Sequence, residues 1–154
     1  HSLKPALIHR NIKASKVLLT KGLVPKLSGF EKSRDRTLLE DMTTGVGDIR
    51  WSAPELLLDE EMYDEKIDVY SFGVLLTELD TGEFPFAKEE AAMRKNELQG
   101  KLMTGALLPK CSASCPKSIL RIFRMCIQHD PSLRPTSRKL LELLEAAKNE
   151  LRQA

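Results

Sequence analysis

Long apolar runs, an excess of charge of one sign and a secretory leader are all missing from this sequence of 154 residues. The longest apolar runs are short, such as Val74-Leu75-Leu76, whereas a helix that crosses a bilayer needs roughly 20 apolar residues. The 24 basic and 22 acidic residues are spread along the chain, so no field of one sign attracts nucleic acid or anionic lipid. We therefore expect neither a nucleic-acid partner nor a membrane partner.

Cysteine is also scarce, with three residues in the chain: Cys111, Cys115 and Cys126. An odd number of cysteines without a secretory signal is typical of reduced thiols, so we expect a cytoplasmic protein. The first residue is His1 rather than Met, which suggests that the chain is a piece of a longer protein.

The residues that are present have the composition of a folded domain, with 42% apolar and 30% charged side chains. Two short apolar runs around Lys21-Gly22 predict a β-hairpin over residues 17–27. Residues 31–50 show little periodicity, which favours a long loop.

The remainder of the chain has helical patterns. Over residues 64–80 the apolar positions surround the helix axis, which predicts a buried central helix that ends at Gly82. Further helices are expected over 88–101, 117–128 and 136–152. The last of these has Thr136 as its predicted N-cap, and its expected apolar stripe is Leu140, Leu144, Ala147 and Leu151. The predicted fold class is mainly α (α+β), with one small β-hairpin.

Six short motifs follow one another along most of the chain. They are His9-Arg10-Asn11-Ile12-Lys13-Ala14-Ser15-Lys16-Val17-Leu18-Leu19, Lys26-Leu27-Ser28-Gly29-Phe30-Glu31, Gly47-Asp48-Ile49-Arg50-Trp51-Ser52-Ala53-Pro54-Glu55, Asp68-Val69-Tyr70-Ser71-Phe72-Gly73, Thr81-Gly82-Glu83-Phe84-Pro85-Phe86 and Asp130-Pro131-Ser132-Leu133-Arg134-Pro135-Thr136. This series resembles the C-terminal lobe of the eukaryotic protein kinase family, most closely its tyrosine-kinase-like group. The resemblance implies a partial kinase domain over residues 1–154, without the Gly-rich loop, strand lysine and hinge of the N-terminal lobe. Residues 1–5 resemble the end of the helix that precedes the catalytic loop.

The resemblance places the chemistry of phosphate transfer at positions where this chain carries other residues. Asn11 stands where active kinases have the aspartate that accepts the proton of the attacking hydroxyl, and an amide cannot accept that proton near neutral pH. Lys16 and Gly29 stand at the two magnesium-ligand positions, although magnesium requires oxygen ligands. The active family uses ATP and magnesium, whereas no cofactor is expected here.

Two further positions of the loop bear on the same site. Lys13 matches the family's phosphate-contacting lysine, and beside Lys16 it could attract an anion without magnesium. The alternative, which we favour, is that both lysines are solvated. Glu31 replaces a glycine, which is expected to stiffen the start of the activation segment.

The residues that shape the lobe in this family are retained. His9 and Phe30 match two members of the hydrophobic regulatory stack, and Asp68 matches the helix aspartate that binds the catalytic-loop backbone. Glu55 and Arg134 match a buried ion pair rather than two independent surface charges. A lobe that still folds is therefore expected. Since the preceding helix is largely missing, the central helix should leave apolar surface uncovered.

The predicted loop of residues 31–50 also carries hydroxyl side chains. Ser33, Thr43 and Thr44 lie where active kinases receive regulatory phosphates, and Arg10 matches the arginine that pairs with one. Alternatively, these hydroxyl residues are ordinary loop residues.

The spacing Cys111-x3-Cys115-x10-Cys126-x2-His129 superficially resembles a zinc site. We predict no metal site, because Cys126 lies within an apolar helical run and is explained as a buried thiol.

The sequence leaves three classes of function open. The favoured hypothesis is a pseudokinase that binds other proteins, such as a kinase or a signalling complex. The alternatives are a working Ser/Thr kinase with a divergent site and a truncated copy without function.

Overall fold

The computed structural model describes residues 1–35, 49–58 and 63–153 of the chain. The α-helices of this part are α1 (Pro54–Leu57), α2 (Lys66–Thr81), α3 (Ala87–Ala92), α4 (Lys95–Met103), α5 (Lys117–Cys126) and α6 (Ser137–Gln153). The strands are β1 (Leu7–Ile8), β2 (Val17–Leu19), β3 (Pro25–Leu27) and β4 (Arg34–Asp35). The prediction of a mainly helical domain with a small β-hairpin is confirmed.

The hairpin consists of β2 and β3, which pair antiparallel with Val17 opposite Leu27 and Leu19 opposite Pro25. Pro25 lies at the end of the ladder, where its missing N–H removes no internal hydrogen bond. The turn is closed by the N–H of Thr20, which donates to the carbonyl of Val24 at 3.0 Å.

Strand β4 pairs antiparallel with β1 and lies within residues 31–50, which were predicted as a loop. Each strand has two residues, which is too short to leave a periodic pattern in the sequence. Residues 1–5 are not helical, and residues 3–5 form a bend. Five residues alone are too few to offset the cost of helix nucleation.

The central helix is α2, whose residues from Ile67 to Val74 and on to Thr77 are buried on nearly every side. It packs against α5 so closely that a Cβ added to Gly73 would lie 2.8 Å from the Cβ of Cys126. Gly82 ends the helix in the left-handed conformation, with φ of 69°. In the part of the chain that the structure describes, no helix has the length and apolarity to cross a membrane.

The expectation that the central helix leaves apolar surface uncovered is wrong for most of α2. Among the large apolar residues of α2, Leu79 is the exposed one, at 69% exposure. The remaining faces of the helix are covered by α5 and by the loop that follows β1. Five of the exposed large apolar residues lie on the hairpin, namely Leu18, Leu19, Leu23, Val24 and Leu27.

The helix predicted over 88–101 is two helices, α3 and α4, separated by extended backbone at Met93 and Arg94. Met93 and Leu98 both pack in a second apolar cluster with Ile49 and Phe86. On one continuous helix, five residues would rotate Met93 and Leu98 roughly 140° apart. The break allows both side chains to reach the same cluster.

The last helix, α6, begins as predicted. The hydroxyl of Thr136 accepts a hydrogen bond from the N–H of Lys139 at 3.2 Å. Leu140 and Ala147 of the predicted stripe are buried, but Leu151 is 46% exposed. The stripe fails at Leu151 because α6 has 17 residues and α5, against which it packs, has 10.

Candidate functional site

The loop that follows β1 is held by Asp68 at the start of α2. The Oδ2 atom of Asp68 accepts a hydrogen bond from the N–H of His9 at 2.7 Å, and Oδ1 accepts one from the N–H of Arg10 at 2.9 Å. The ring of His1 also lies 2.9 Å from Oδ2. Burial raises the pKa of Asp68, while the two backbone donors lower it. One buried carboxyl group thus fixes the backbone of two consecutive loop residues.

His9 and Phe30 contact each other across the site, edge to face, with ring centroids 4.6 Å apart. His9 is buried, and its Nε2 lies 2.9 Å from the carbonyl oxygen of Ser28. Phe30 is 51% exposed on its outer side. The histidine therefore joins the loop after β1 to the segment that follows the hairpin.

Lys16 lies directly across Gly29, at the two positions where the kinase resemblance places magnesium ligands. A Cβ added to Gly29 would lie 2.7 Å from the Cδ of Lys16, so the lysine occupies the space that a side chain would need. The Nζ of Lys16 donates a hydrogen bond to Oε1 of Glu31 at 3.0 Å. The pKa of Glu31 is lowered mainly by the backbone N–H of Glu31 itself, and to a smaller extent by the hydrogen bond from Lys16.

This arrangement does not fit magnesium. The ion needs several oxygen ligands, and a cation at Lys16 repels it while Gly29 offers no ligand atom. The carboxylate of Glu31 is already paired with that cation. The residues present at this position thus form an internal ion pair rather than a metal site.

Asn11 and Lys13 lie in a cleft between the loop and the 3-10 turn that contains Trp51. The N–H of Asn11 donates to Nδ1 of His9 at 3.2 Å. The Nζ of Lys13 lies 5.3 Å from the ring centre of Trp51, a cation–π distance. Since Lys13 contacts Trp51 and Lys16 contacts Glu31, the two lysines do not present a shared pair of cations toward one anion.

Glu55 and Arg134 form a buried bidentate ion pair. The two nitrogens of Arg134 lie 2.6 and 2.9 Å from the two oxygens of Glu55. Arg134 is 2% exposed and also donates to the carbonyls of Gln128 and His129. Its guanidinium lies 5.0 Å from the ring centre of Tyr70, whose pKa burial raises to about 12. The pair joins α1 to the segment before α6.

The candidate phosphorylation sites are only partly described. The guanidinium of Arg10 lies 5.5 Å from the ring centre of Tyr63, and its buried Nε has no hydrogen-bond partner. The hydroxyl of Ser33 donates to the carbonyl of His9 at 3.3 Å. Thr43 and Thr44 lie outside the described residues.

The structure does not bring together the four residues of the superficial zinc pattern. Cys126 is fully buried in the core, and burial raises its pKa to about 12. The Nε2 of His129 lies 3.1 Å from the carbonyl of Met103. Cys111 and Cys115 instead lie beside Asp80, with ligand atoms within 4.8 Å of one another.

Sequence reasoning missed Asp80, because nothing in its local pattern links it to cysteines more than 30 positions later. The spacing of Cys111 and Cys115 was the one available signal. Burial raises the pKa of both thiols, that of Cys111 to about 12.

Comparisons with known proteins agree with the motif order. Residues 3–144 match the family described as protein tyrosine and serine/threonine kinase. The chain is 34% identical over 138 residues to a probable serine/threonine-protein kinase of Dictyostelium discoideum, which covers 90% of this chain and 14% of that protein.

Two other relatives come from a plant and a mammal. Serine/threonine-protein kinase STY17 of Arabidopsis thaliana is 33% identical over 141 residues, covering 90% of this chain and 23% of the relative. Mitogen-activated protein kinase kinase kinase 12 of Rattus norvegicus is 33% identical over 141 residues, covering 92% of this chain and 15% of the relative. The chain thus spans less than a quarter of the length of each of these relatives. On the extent of these matches, the chain belongs to the protein tyrosine and serine/threonine kinase family.

Proposed function

We propose that this chain is a pseudokinase lobe of the tyrosine-kinase-like group, which does not transfer phosphate and instead binds other proteins. The observation that carries the proposal is the Lys16–Glu31 ion pair over Gly29. Under the same hypothesis, the chain acts in the cytoplasm as part of a signalling complex, and one of its partners is a kinase.

The first argument is chemical. Phosphoryl transfer in kinases depends on positioning and on neutralising the charge of the phosphates, for which this lobe normally supplies a base and two metal ligands. Asn11 cannot act as the base, and losing a positioned base costs about 100- to 10,000-fold in rate. Lys16 and Gly29 cannot hold the metal. Three independent requirements fail within one loop and the segment after the hairpin.

The second argument is the contrast with the scaffold. Asp68 holds the loop backbone, His9 contacts Phe30, and Glu55 pairs with Arg134. These contacts stabilise the lobe but carry no phosphate-transfer chemistry. Their presence beside a site without metal ligands supports a protein that folds for a purpose other than catalysis.

The third argument is the exposed apolar surface of the hairpin. Leu23 is 75% exposed, and four neighbouring apolar residues of the hairpin are also exposed. Contiguous exposed apolar patches on folded proteins often mark sites of protein contact. This surface is therefore proposed as the contact region for a protein partner.

The catalytic half of the proposal is tested with ATP and magnesium. We expect no magnesium-dependent rise in the melting temperature, because a ligand stabilises only when it binds the native state. A labelled-phosphate assay with a generic basic protein as acceptor should show no transfer. A magnesium-dependent thermal shift, or transfer by the unmodified chain, would favour a working kinase with a divergent site.

The binding half is tested by proximity labelling in cells. The wild-type chain is compared with a Leu19→Lys, Leu23→Lys variant of the hairpin and with a Leu133→Lys control, since Leu133 is also exposed but lies before α6. We expect partners that the hairpin variant loses and the control retains. Identical labelling by all three chains would reject the hairpin as a contact region.

A further inference from the structure

Two cysteines and one aspartate meet at the end of α2, away from the loop that carries the degenerate kinase residues. Asp80 is the penultimate residue of α2, and Cys111 and Cys115 lie in the segment between α4 and α5. One carboxylate oxygen and the two sulfur atoms all lie within 4.8 Å of one another. Among the described residues, the side chains of Asp80, Cys111 and Cys115 form the group that is close enough to hold a metal ion.

The carboxylate is held in place by the same turn that carries the cysteines. The N–H of Ser112 donates to Oδ2 of Asp80 at 2.5 Å, and the hydroxyl of Ser112 donates to Oδ1 at 3.1 Å. The N–H of Cys115 donates to the carbonyl of Ser112 at 3.3 Å, which closes the turn. Each carboxylate oxygen keeps a lone pair for a further partner. Hydrogen bonds of this kind orient the ligands of metal sites.

We propose that Asp80, Cys111 and Cys115 bind a thiophilic divalent metal ion, with Zn²⁺ as the best-fitting one. Zinc accepts both thiolate and carboxylate ligands, and the three-residue spacer between the cysteines lies within the range seen at zinc sites. Bond lengths of about 2.3 Å to sulfur and 2.0–2.2 Å to oxygen imply ligand separations of about 3.5–3.8 Å in a tetrahedral site. The observed separations are no larger than 4.8 Å, which is about 1 Å above this range.

Charge also fits a divalent ion. Arg124 lies near Cys111, where its positive charge acts on the thiol. Two thiolates and one carboxylate carry three negative charges, which the ion and Arg124 together neutralise. Both cysteines are free thiols in the structure, so binding exchanges their two protons for the ion. Hard ions such as magnesium are not expected to bind, because they prefer oxygen ligands alone.

The test titrates the 154-residue chain, reduced and freed of metal, with Co²⁺. We expect a sulfur-to-cobalt charge-transfer absorption that saturates at one ion per chain and disappears when Zn²⁺ is added. Zn²⁺ but not Mg²⁺ should raise the melting temperature. The Cys111→Ser and Cys115→Ser variants should each lose the absorption. Ser112→Ala removes a hydrogen bond that orients Asp80 and should weaken binding about 10- to 100-fold.

Matched controls separate the site from nonspecific binding. Cys126→Ala removes the third thiol, and Glu83→Gln removes an exposed acid three residues after Asp80, so both variants should retain the absorption. A second measurement needs no variant, since Zn²⁺ should slow the alkylation of Cys111 in the folded chain, whereas Cys126 is fully buried and should stay unreactive with and without Zn²⁺. Absence of the absorption at saturating Co²⁺ would overturn the proposal. Absorption that survives both cysteine substitutions would also overturn it.

Discussion

At the scale of single residues, the Lys16–Glu31 contact can be tested by titration. The pKa of Glu31 lies below its ordinary value of 4.5, because its own backbone N–H and the Lys16 ammonium favour the charged carboxylate. Carbon NMR of the Glu31 carboxyl group should report the lowered value, and Lys16→Met should move it back toward 4.5. Lys32→Met serves as the control, because Lys32 is the weaker of the two cations acting on Glu31. An unchanged pKa in the Lys16 variant would contradict the contact.

The sign of the accompanying effect on stability follows from the direction of the shift. Since the folded-state pKa of Glu31 is lowered, its contribution is present above the unfolded-state value and is lost as the pH falls through the folded-state value. The contribution is small because the pair is exposed to solvent. The Lys16–Glu31 pair therefore matters for the site's chemistry rather than for folding.

Removing one partner of the buried Glu55–Arg134 pair is expected to destabilise the lobe strongly. Glu55→Gln leaves the guanidinium of Arg134 buried without its counter-charge, which costs about 3 to 5 kcal/mol in the free energy of unfolding. Urea unfolding measures this loss. The control is Glu142→Gln in the exposed Lys139–Glu142 pair, which should change stability by less than about 1 kcal/mol. Equal losses in the two variants would contradict the assignment of the buried pair.

At the scale of elements, the N-terminus of α6 depends on one hydroxyl group. Thr136→Ala removes the acceptor of the Lys139 N–H and should lower the free energy of unfolding by about 1 kcal/mol. Thermal unfolding followed by circular dichroism measures the change. Ser137→Ala, which removes an exposed hydroxyl one residue later, should stay within about 0.5 kcal/mol of wild type. An equal loss in the Ser137 variant would show that the loss does not come from the capping hydroxyl of Thr136.

The elements that were predictable from sequence are those with a local signal. The two apolar runs around Gly22 predicted the hairpin, and the apolar circumference of α2 predicted its burial. The break between α3 and α4 was not predictable, because it depends on a cluster shared with Ile49, which lies far away along the chain. The pairing of β1 with β4 likewise depends on a contact between distant segments.

The same distinction applies to the candidate site. Asn11, Lys16 and Gly29 could be recognised from the sequence, because each occupies a defined position within a kinase motif. The pairing of Lys16 with Glu31 and the stacking of Lys13 on Trp51 were not, because both depend on side-chain directions that a motif does not specify. Asp80 was missed for the related reason that only the packed fold places it beside Cys111.

At the scale of the whole molecule, restoring the family residues should not make this chain of 154 residues a kinase. The variant carries Asn11→Asp, Lys16→Asn, Gly29→Asp and Glu31→Gly, which returns the base and the metal ligands. The 154 residues contain no segment that resembles the Gly-rich loop or the strand lysine, which hold the nucleotide in active kinases. Correct positioning of reactants is worth about 7 to 11 kcal/mol of the barrier.

The measurement is labelled-phosphate transfer from ATP to a generic basic protein with added magnesium. We expect no transfer by the fourfold variant and none by the original chain. Transfer by the variant alone would show that this lobe positions the nucleotide without help from other segments.

The place of Lys16 over Gly29 bears on how the site can change during evolution. If Gly29 alone became aspartate, the new carboxylate would lie against the Lys16 side chain and pair with its ammonium group instead of a metal. If Lys16 alone became asparagine, Gly29 would still offer no ligand atom. Neither single substitution yields magnesium binding, so selection for that function cannot favour either first step. Magnesium ligands at this position would therefore require both residues to change together.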